Sequence, residues 1–290
     1  MARKSILDKA IPYLFVLPCA AGFLCFYFLP FLSSVCFSLV NNNFDRKFVG
    51  LTNYIGLFRN QFFIMALKNT LVYMAVSIPV LIALTFSVSL LIFNMKSAAI
   101  RASVLFLLSI QLVIPSATLS FFWNNIFSAN GWLNSLLFNL NTNHIPIDFF
   151  NSDNAMPIMI LIFFYKNFGY NIILFTAGLN ALDDAYFEAA KVDGANAMQI
   201  MTRITFPLMK PVFVITVLMS TVNSFKVFKE MYMVYGNYPA ESVYNVQFFM
   251  NNMLRKLEFQ SLTAASTITT LVIGFAVTVT LINLQKGERF

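Results

Sequence analysis

Long apolar runs separated by short polar segments set the pattern of this chain. A helix needs about 20 predominantly apolar residues to cross the hydrocarbon core of a bilayer. Six stretches reach that length: 11–40, 67–93, 102–126, 155–179, 211–235 and 260–284. The pattern predicts an all-α membrane protein with six transmembrane helices. The first stretch follows Arg3, Lys4 and Lys9 and begins like a secretory signal, but a cleavable apolar region is only about 7–15 residues long. This stretch runs well past that limit and is read as a retained helix, with kinks expected at Pro18 and Pro30. In the third stretch, Gln111 and Pro115 predict local polarity near a kink, with Gln111 hydrogen-bonded to a neighbouring helix. Trp123 and Trp132 are expected to anchor at the outer interface. Ser261, Thr263, Ala264, Ala265, Ser266 and Thr267 supply a small-residue face suited to close helix packing.

The polar segments differ in character. Segment 41–65 carries Gly50, Asn53, Tyr54 and Gly56 and reads as turns plus a short interfacial helix. Segment 127–154 is rich in Asn, and 236–259 opens on a Gly236-Asn237-Tyr238-Pro239 turn. Composition narrows the class: 59% of the 290 residues are hydrophobic and 11% charged, against about 25% charged in a soluble domain. That balance excludes a soluble enzyme, a disordered chain and a disulfide-rich secreted domain. The net charge of +7 comes without a basic stripe or finger pattern, so no nucleic-acid partner is expected.

Charge instead suggests orientation. With the N-terminus inside, the inner segments hold Arg3, Lys4, Lys9, Lys96, Arg101, Lys191, Arg203, Lys210, Lys286 and Arg289. The outer segments hold Arg46, Lys47, Arg59, Lys68, Arg255 and Lys256. The positive-inside rule then predicts that both termini are cytoplasmic. Segment 1–10 becomes a cytoplasmic N-terminus and 11–290 a single transmembrane domain. Cys19, Cys25 and Cys36 form no C-x-x-C pair and read as small apolar side chains. His144 is the only histidine and reads as a solvated loop residue. No metal site and no catalytic residue is expected.

The segment 180–210 is more than a connector. Asp183 or Asp184 is placed to cap a helix start. Good helix formers follow from Ala185 to Val192, and Gly194 suits a left-handed C-terminal cap. A second short helix is predicted from Ala195 to about Ile204, with Pro207 and Pro211 ending it and opening the fifth span. The result is a helix–turn–helix at the membrane surface. Tyr186, Phe187, Ala189, Ala190, Met198 and Met201 give it an apolar surface that needs a cover. On physical grounds two covers stand open: lipid headgroups and the chain's own helices, or the groove of a soluble partner.

The run Glu188-Ala189-Ala190, three residues, Gly194, nine residues, then Ile204-Thr205-Phe206-Pro207 resembles the EAA loop of ABC importer permeases. The family pattern has Leu where Phe206 stands. Further resemblance to carbohydrate-type permeases, of the maltose and glycerol-phosphate kind, extends over nearly the whole chain. It is carried by Phe48-Val49-Gly50-Leu51-Thr52-Asn53-Tyr54, Asn69-Thr70, Gly131-Trp132-Leu133-Asn134, Asn180-Ala181-Leu182, Asp193-Gly194-Ala195 and Ser224-Phe225-Lys226-Val227-Phe228. Gly236-Asn237-Tyr238-Pro239 departs from the Gly-Gly-Gly-Pro run common in the family, and Leu182-Asp183 from its Ile-Pro.

The resemblance implies a type I importer permease of a bacterial-type plasma membrane, forming half of the path for a sugar, oligosaccharide or related polyol. It implies a second permease subunit, a cytoplasmic ATPase dimer and an extracytoplasmic solute-binding protein as partners. It also implies that Glu188, Ala189, Ala190, Asp193, Gly194, Ala195, Ile204 and Pro207 couple the chain to the ATPase. The chain has no G-x-x-x-x-G-K-[ST] loop, so no cofactor is expected on it, and ATP and magnesium belong to the ATPase.

Charge within the spans is the remaining signal. A charged side chain at a helix centre costs about 2.5–3.5 kcal/mol on insertion scales. Lys166, Lys226, Lys229 and Glu230 stand in the fourth and fifth spans. Lys226 and Glu230, four apart, are expected to pair along a helix face. Two readings stand open: structural pairing or snorkelling, or a polar substrate path with Asn167, Tyr170, Asn223, Lys226, Lys229 and Glu230. The lysines point toward an acidic solute. A second function class, an ion-coupled carrier with Lys226 and Glu230 in its coupling path, predicts uptake that needs no ATPase.

Overall fold

In a computed structural model, residues 6–41, 45–143 and 145–287 are described. Arg3, Lys4, His144 and Arg289, with the readings placed on them, lie outside the described residues. The helices, in order, are α1 (Ile6–Phe23), α2 (Leu29–Ser38), α3 (Thr52–Arg59), α4 (Gln61–Phe93), α5 (Ala98–Ser109), α6 (Ser116–Phe127) and α7 (Trp132–Leu140). There follow α8 (Ala155–Asn180), α9 (Asp184–Val192), α10 (Ala197–Ile200), α11 (Phe206–Ser224), α12 (Phe228–Tyr235), α13 (Val246–Arg255) and α14 (Phe259–Gly287). Among the described residues, the only strand-like pairing is one antiparallel bridge between Val40 and Phe48.

Five uninterrupted segments are long and apolar enough to cross a membrane: Tyr13–Ser38, Gln61–Phe93, Ala155–Asn180, Ala197–Tyr235 and Phe259–Val279. A sixth is reached by counting the bent pair Ala98–Leu112 and Ser116–Leu140 as one span. The third apolar stretch is therefore not the kinked helix its sequence suggested. It turns through 93° at the break. A 3₁₀ turn at Ile110–Leu112 tightens the end of α5, and Pro115 has extended backbone (ψ 148°) before α6 begins. Proline has no N–H to continue the ladder, and it holds the preceding residue away from helical backbone.

Prolines elsewhere are absorbed. Pro18 lies inside α1, which continues through it. Before Pro30 the helix widens into a π turn, Leu24–Phe28, in which the Leu29 N–H reaches the Leu24 carbonyl. The same arrangement recurs before Pro207, with a π turn at Met201–Thr205 and the Phe206 N–H on the Met201 carbonyl. In each case the proline stands two residues past the turn. The wider turn gives the preceding N–H groups acceptors one residue further back, relieving the clash between the ring and the carbonyl four residues earlier. Pro207 and Pro211 consequently do not separate a second loop helix from the fifth span. Residues Ala197–Tyr235 run as one helical segment.

The described chain divides into two compact units. In the first, residues to 61 and 250–271, side chains on Tyr13–Ser38 such as Phe15 and Phe26 are strongly exposed, as lipid-facing groups are. Asn53 Nδ2 donates to the Ser38 and Val40 carbonyls, both at 2.8 Å, and the Ser38 and Tyr54 hydroxyls lie 2.6 Å apart. This fixes α3 beneath the end of α2.

In the second unit, residues 62–249 and 272 onward, Phe86, Phe175, Leu179 and Met209 form a buried core joining α4, α8 and α11. Asn69 Nδ2 donates to the carbonyls of Glu241 (2.6 Å) and Tyr244 (3.0 Å), and Thr70 Oγ1 accepts from the Val246 N–H. These bonds tie the start of α13, a helix formed where the composition predicts a loop, to α4. Asn134 closes its own loop, bonding Ser128 and both backbone groups of Ile147. Trp132 is 65% exposed, whereas Trp123 is 6% exposed and stacks among Phe127, Phe122 and Tyr165. Trp123 is thus a packing residue, not an interfacial anchor.

Candidate functional site

The break between α5 and α6 creates polar surface where an unbroken helix would have none. Its freed carbonyl, Ile114 O, accepts from Lys166 Nζ on α8 at 3.0 Å. On the far side of the break, Ser116 Oγ donates to Glu230 Oε1 at 2.7 Å, and Ser120 Oγ donates to the Glu230 carbonyl at 3.1 Å. Lys166 therefore satisfies the freed carbonyl, and Glu230 holds the hydroxyl at the start of α6. α5 also crosses α8 closely: a Cβ on Gly169 would collide with the Leu108 carbonyl and crowd Gln111 Nε2. Gln111 is buried, but its Nε2 has no hydrogen-bond partner. The expected helix–helix bond from that Nε2 is not made.

A cavity of about 440 Å³ opens beside the break. Asn167, Tyr170, Asn223, Lys226, Lys229 and Glu230 all line it, along with Lys166 and Ser116. All six residues anticipated for a polar path therefore meet at one place. The geometry among them differs from expectation. Lys226 does not pair with Glu230. Its Nζ donates to Asn223 Oδ1 at 2.9 Å, and Glu230 takes the Ser116 hydroxyl. The cause is a 3₁₀ turn at Phe225–Val227 between α11 and α12. Its tighter winding takes residues four apart out of line. Asn167 Nδ2 is spent on the Phe163 carbonyl, and Asn171 Nδ2 on Ser220 Oγ. Ser116 joins the cavity residues without having stood out in the sequence. Its only signal was a hydroxyl next to a proline in an apolar run.

The second candidate surface is the loop between α8 and α11. Asp183 caps α9, its Oδ1 accepting from the Ala185 N–H at 2.9 Å. At the other end the Ala195 N–H reaches the Ala190 carbonyl (2.9 Å) and the Gly194 N–H the Lys191 carbonyl (3.1 Å), around a Gly194 φ of +75°. This pair of bonds is the Schellman arrangement. Nothing lies within 4 Å of a Cβ built on Gly194, so the glycine is required by the backbone angle and not by space. Asn196 and Gln199 then form a reciprocal capping box that starts α10.

Glu188, Ala189, Asp193, Gly194 and Pro207 are exposed; Ala195 and Ile204 are half-buried; Ala190 is buried. Tyr186, Val192 and Met198 add exposed apolar surface. Both roots of the loop pack on one core. Leu179 and Met209 belong to it, and Leu182 and Met201 lie against it. Rings of Phe86, Phe175, Phe206 and Phe213 interlock there at centroid separations of 4.7–5.7 Å.

These features define a helical integral membrane protein with a polar cavity and an exposed loop whose helix is capped at both ends. The same fold is found in the crystal structure of a bacterial ABC transporter involved in the import of the acidic polysaccharide alginate (TM-score 0.81, 22% identity, 98% of this chain and 97% of that one). Residues 83–287 match the family of binding-protein-dependent transport system inner membrane components, and the chain belongs to that family. It is a permease subunit of the plasma membrane, a transport component and not an enzyme.

Its relatives include the arabinooligosaccharides transport system permease protein AraP of Bacillus subtilis (strain 168), 32% identical over 79% of this chain and 73% of AraP. The trehalose/maltose transport system permease protein MalF of Thermococcus litoralis is 25% identical over 97% of this chain and 95% of MalF. Family membership removes the ion-coupled carrier reading.

Proposed function

We propose that this chain forms half of the translocation path of an ATP-driven importer for an oligosaccharide, and that loop 180–210 couples it to a separate ATPase. The other half is a second permease subunit. An extracytoplasmic binding protein delivers the solute, and the ATPase dimer, with its ATP and magnesium, engages the loop from the cytoplasm. Both termini lie on the loop's side of the membrane. The oligosaccharide assignment follows the names of AraP and MalF.

The observation that carries the coupling role is the way the loop is anchored. An exposed helix, capped at both ends, is rooted on both sides in the core that joins α4, α8 and α11. A push on α9 is therefore delivered to the spans as a rigid movement and is not lost in a flexible connector. Glu188 and Ala189 are the exposed contact residues. Ala190 is small because it faces inward.

The test is purification of the tagged complex from its native membrane, with ATP-dependent uptake measured in proteoliposomes. Glu188→Lys is expected to lose the ATPase from the purified complex and to cut uptake by more than about tenfold, as removal of a paired interface charge does. Wild-type ATPase recovery and uptake by this variant would refute the coupling role.

A further inference from the structure

The cavity beside the broken span holds three lysines and one carboxylate. None of the lysines is neutralised by an acid among the described residues. Lys166 is bonded to a backbone carbonyl, Lys226 to an amide oxygen, and among the described residues no ion pair links Lys166, Lys226 or Lys229 to an acid. Glu230, the one carboxylate present, is buried and engaged by a serine hydroxyl. The 3₁₀ turn that takes Lys226 away from Glu230 leaves Lys226 and Lys229 exposed on the cavity wall.

A neutral saccharide needs none of this. Tyr170 and the amide atoms of Asn167 and Asn223 that are not already engaged can serve sugar hydroxyls without any charge. Uncompensated cations in membrane-spanning helices are costly and mark a functional path. With three lysines to one carboxylate the cavity has an excess of positive charge, and such an excess between low-dielectric walls concentrates solutes of the opposite sign.

We infer that this cavity selects anionic oligosaccharides, such as chains of uronic acids, and that Lys226 and Lys229 are its specificity-determining residues. Lys166 is held at the helix break and shapes the wall, whereas Lys226 and Lys229 meet the carboxylates of the solute. This inference rests on the permease reading above and adds the charge of the solute to it.

The test is equilibrium binding to the detergent-purified permease–ATPase complex without its binding protein, which removes that protein's own selectivity. The probes are trigalacturonate and its fully methyl-esterified form, alike in shape and different in charge. The expected result is a preference for the acid of at least about tenfold at low salt, the scale of a desolvated charge contact, shrinking as salt is raised. The double variant Lys226→Gln, Lys229→Gln is expected to bring the ratio of the two affinities close to one. Lys226→Arg, Lys229→Arg, which keeps the charge, is expected to preserve it. Because the readout is a ratio, partial loss of folded protein does not alter it.

Equal binding of the two probes by the wild type, as would follow if carboxylates of the second permease faced these lysines, overturns the inference. So does the absence of binding by either probe, or a preference that the Gln variant leaves intact. If the ATPase co-purifies but the preference is absent, the charge selectivity alone fails. If no ATPase co-purifies, the proposed coupling through loop 180–210 fails with it.

Discussion

The third and fifth spans both meet a proline in an apolar run, and they respond in opposite ways. At Pro115 the chain tightens into a 3₁₀ turn, stops, and restarts at 93°. At Pro207 it widens into a π turn and continues unbroken to Tyr235. The local rule is the same in both cases, since proline lacks an N–H and crowds the carbonyl four residues back. The neighbours decide the outcome. The carbonyl freed at Ile114 has a lysine waiting on α8, and Ser116 finds a glutamate on α12. Around Met201–Thr205, Met201 packs against the phenylalanine-rich core, and the Thr202 and Thr205 hydroxyls donate to the Met198 and Ile200 carbonyls. These partners lie within the same helical segment and, among the described residues, no charged group of another helix enters, so the helix keeps its ladder closed with longer steps. The break lies at the polar cavity, and the unbroken segment lies where movement from the loop must be transmitted.

The strongest way to break this contrast is to pry apart the helices that hold the bend. Gly169 lets α5 cross α8 with backbone against backbone, and any Cβ there meets the Leu108 carbonyl. Gly169→Leu is expected to abolish recovery of folded complex, because overpacking at a backbone contact costs about 1–3 kcal/mol or more. Monodisperse elution of this variant at wild-type yield would show that the crossing is not as tight as described.

A more selective change leaves the packing and removes the partner of the break. Lys166→Met keeps the apolar stem and deletes the donor to Ile114 O. A hydrogen bond from a charged group contributes about 1.5–3 kcal/mol, and the orphaned carbonyl must find water in the cavity. Uptake is expected to fall by about tenfold or more, with a smaller loss of thermal stability in detergent. Unchanged uptake would mean that the bend holds itself and that Lys166 only lines the wall.

What the sequence disclosed follows the same contrast. The spans were legible because their composition is set by lipid, and the loop because Asp183, Gly194 and the spacing to Pro207 are local signals read by the backbone itself. The six cavity residues were legible because polar groups stand out in apolar helices. Their partners were not. Whether Lys226 faces Glu230 depends on one 3₁₀ turn at Phe225–Val227, which shifts the winding and has no mark in composition. Whether Pro115 breaks its helix depends on Lys166, which reaches the carbonyl of Ile114 from 52 residues away. Trp123 looked interfacial by type and is buried because Phe127, Phe122 and Tyr165 surround it.

The subtlest prediction concerns the helix that did not break. Pro207→Ala restores an N–H and removes the clash that the π turn relieves, so residues 201–205 are free to return to α-helical winding. Stability should stay level or rise slightly, since proline within a helix is unfavourable by up to about 3 kcal/mol. A π turn holds one residue more than the α turn that would replace it. Closing it therefore rotates α10 and the Gly194 turn by about one residue step, roughly 100°, relative to α11. α9 would then present a different face, and the ATPase would lose Glu188. The expected signature is a complex as stable as the wild type, with uptake reduced severalfold and ATPase activity less responsive to solute. A fall in uptake accompanied by an equal fall in stability would mean instead that Pro207 serves packing alone, and that the π turn has no part in setting the angle of the lever.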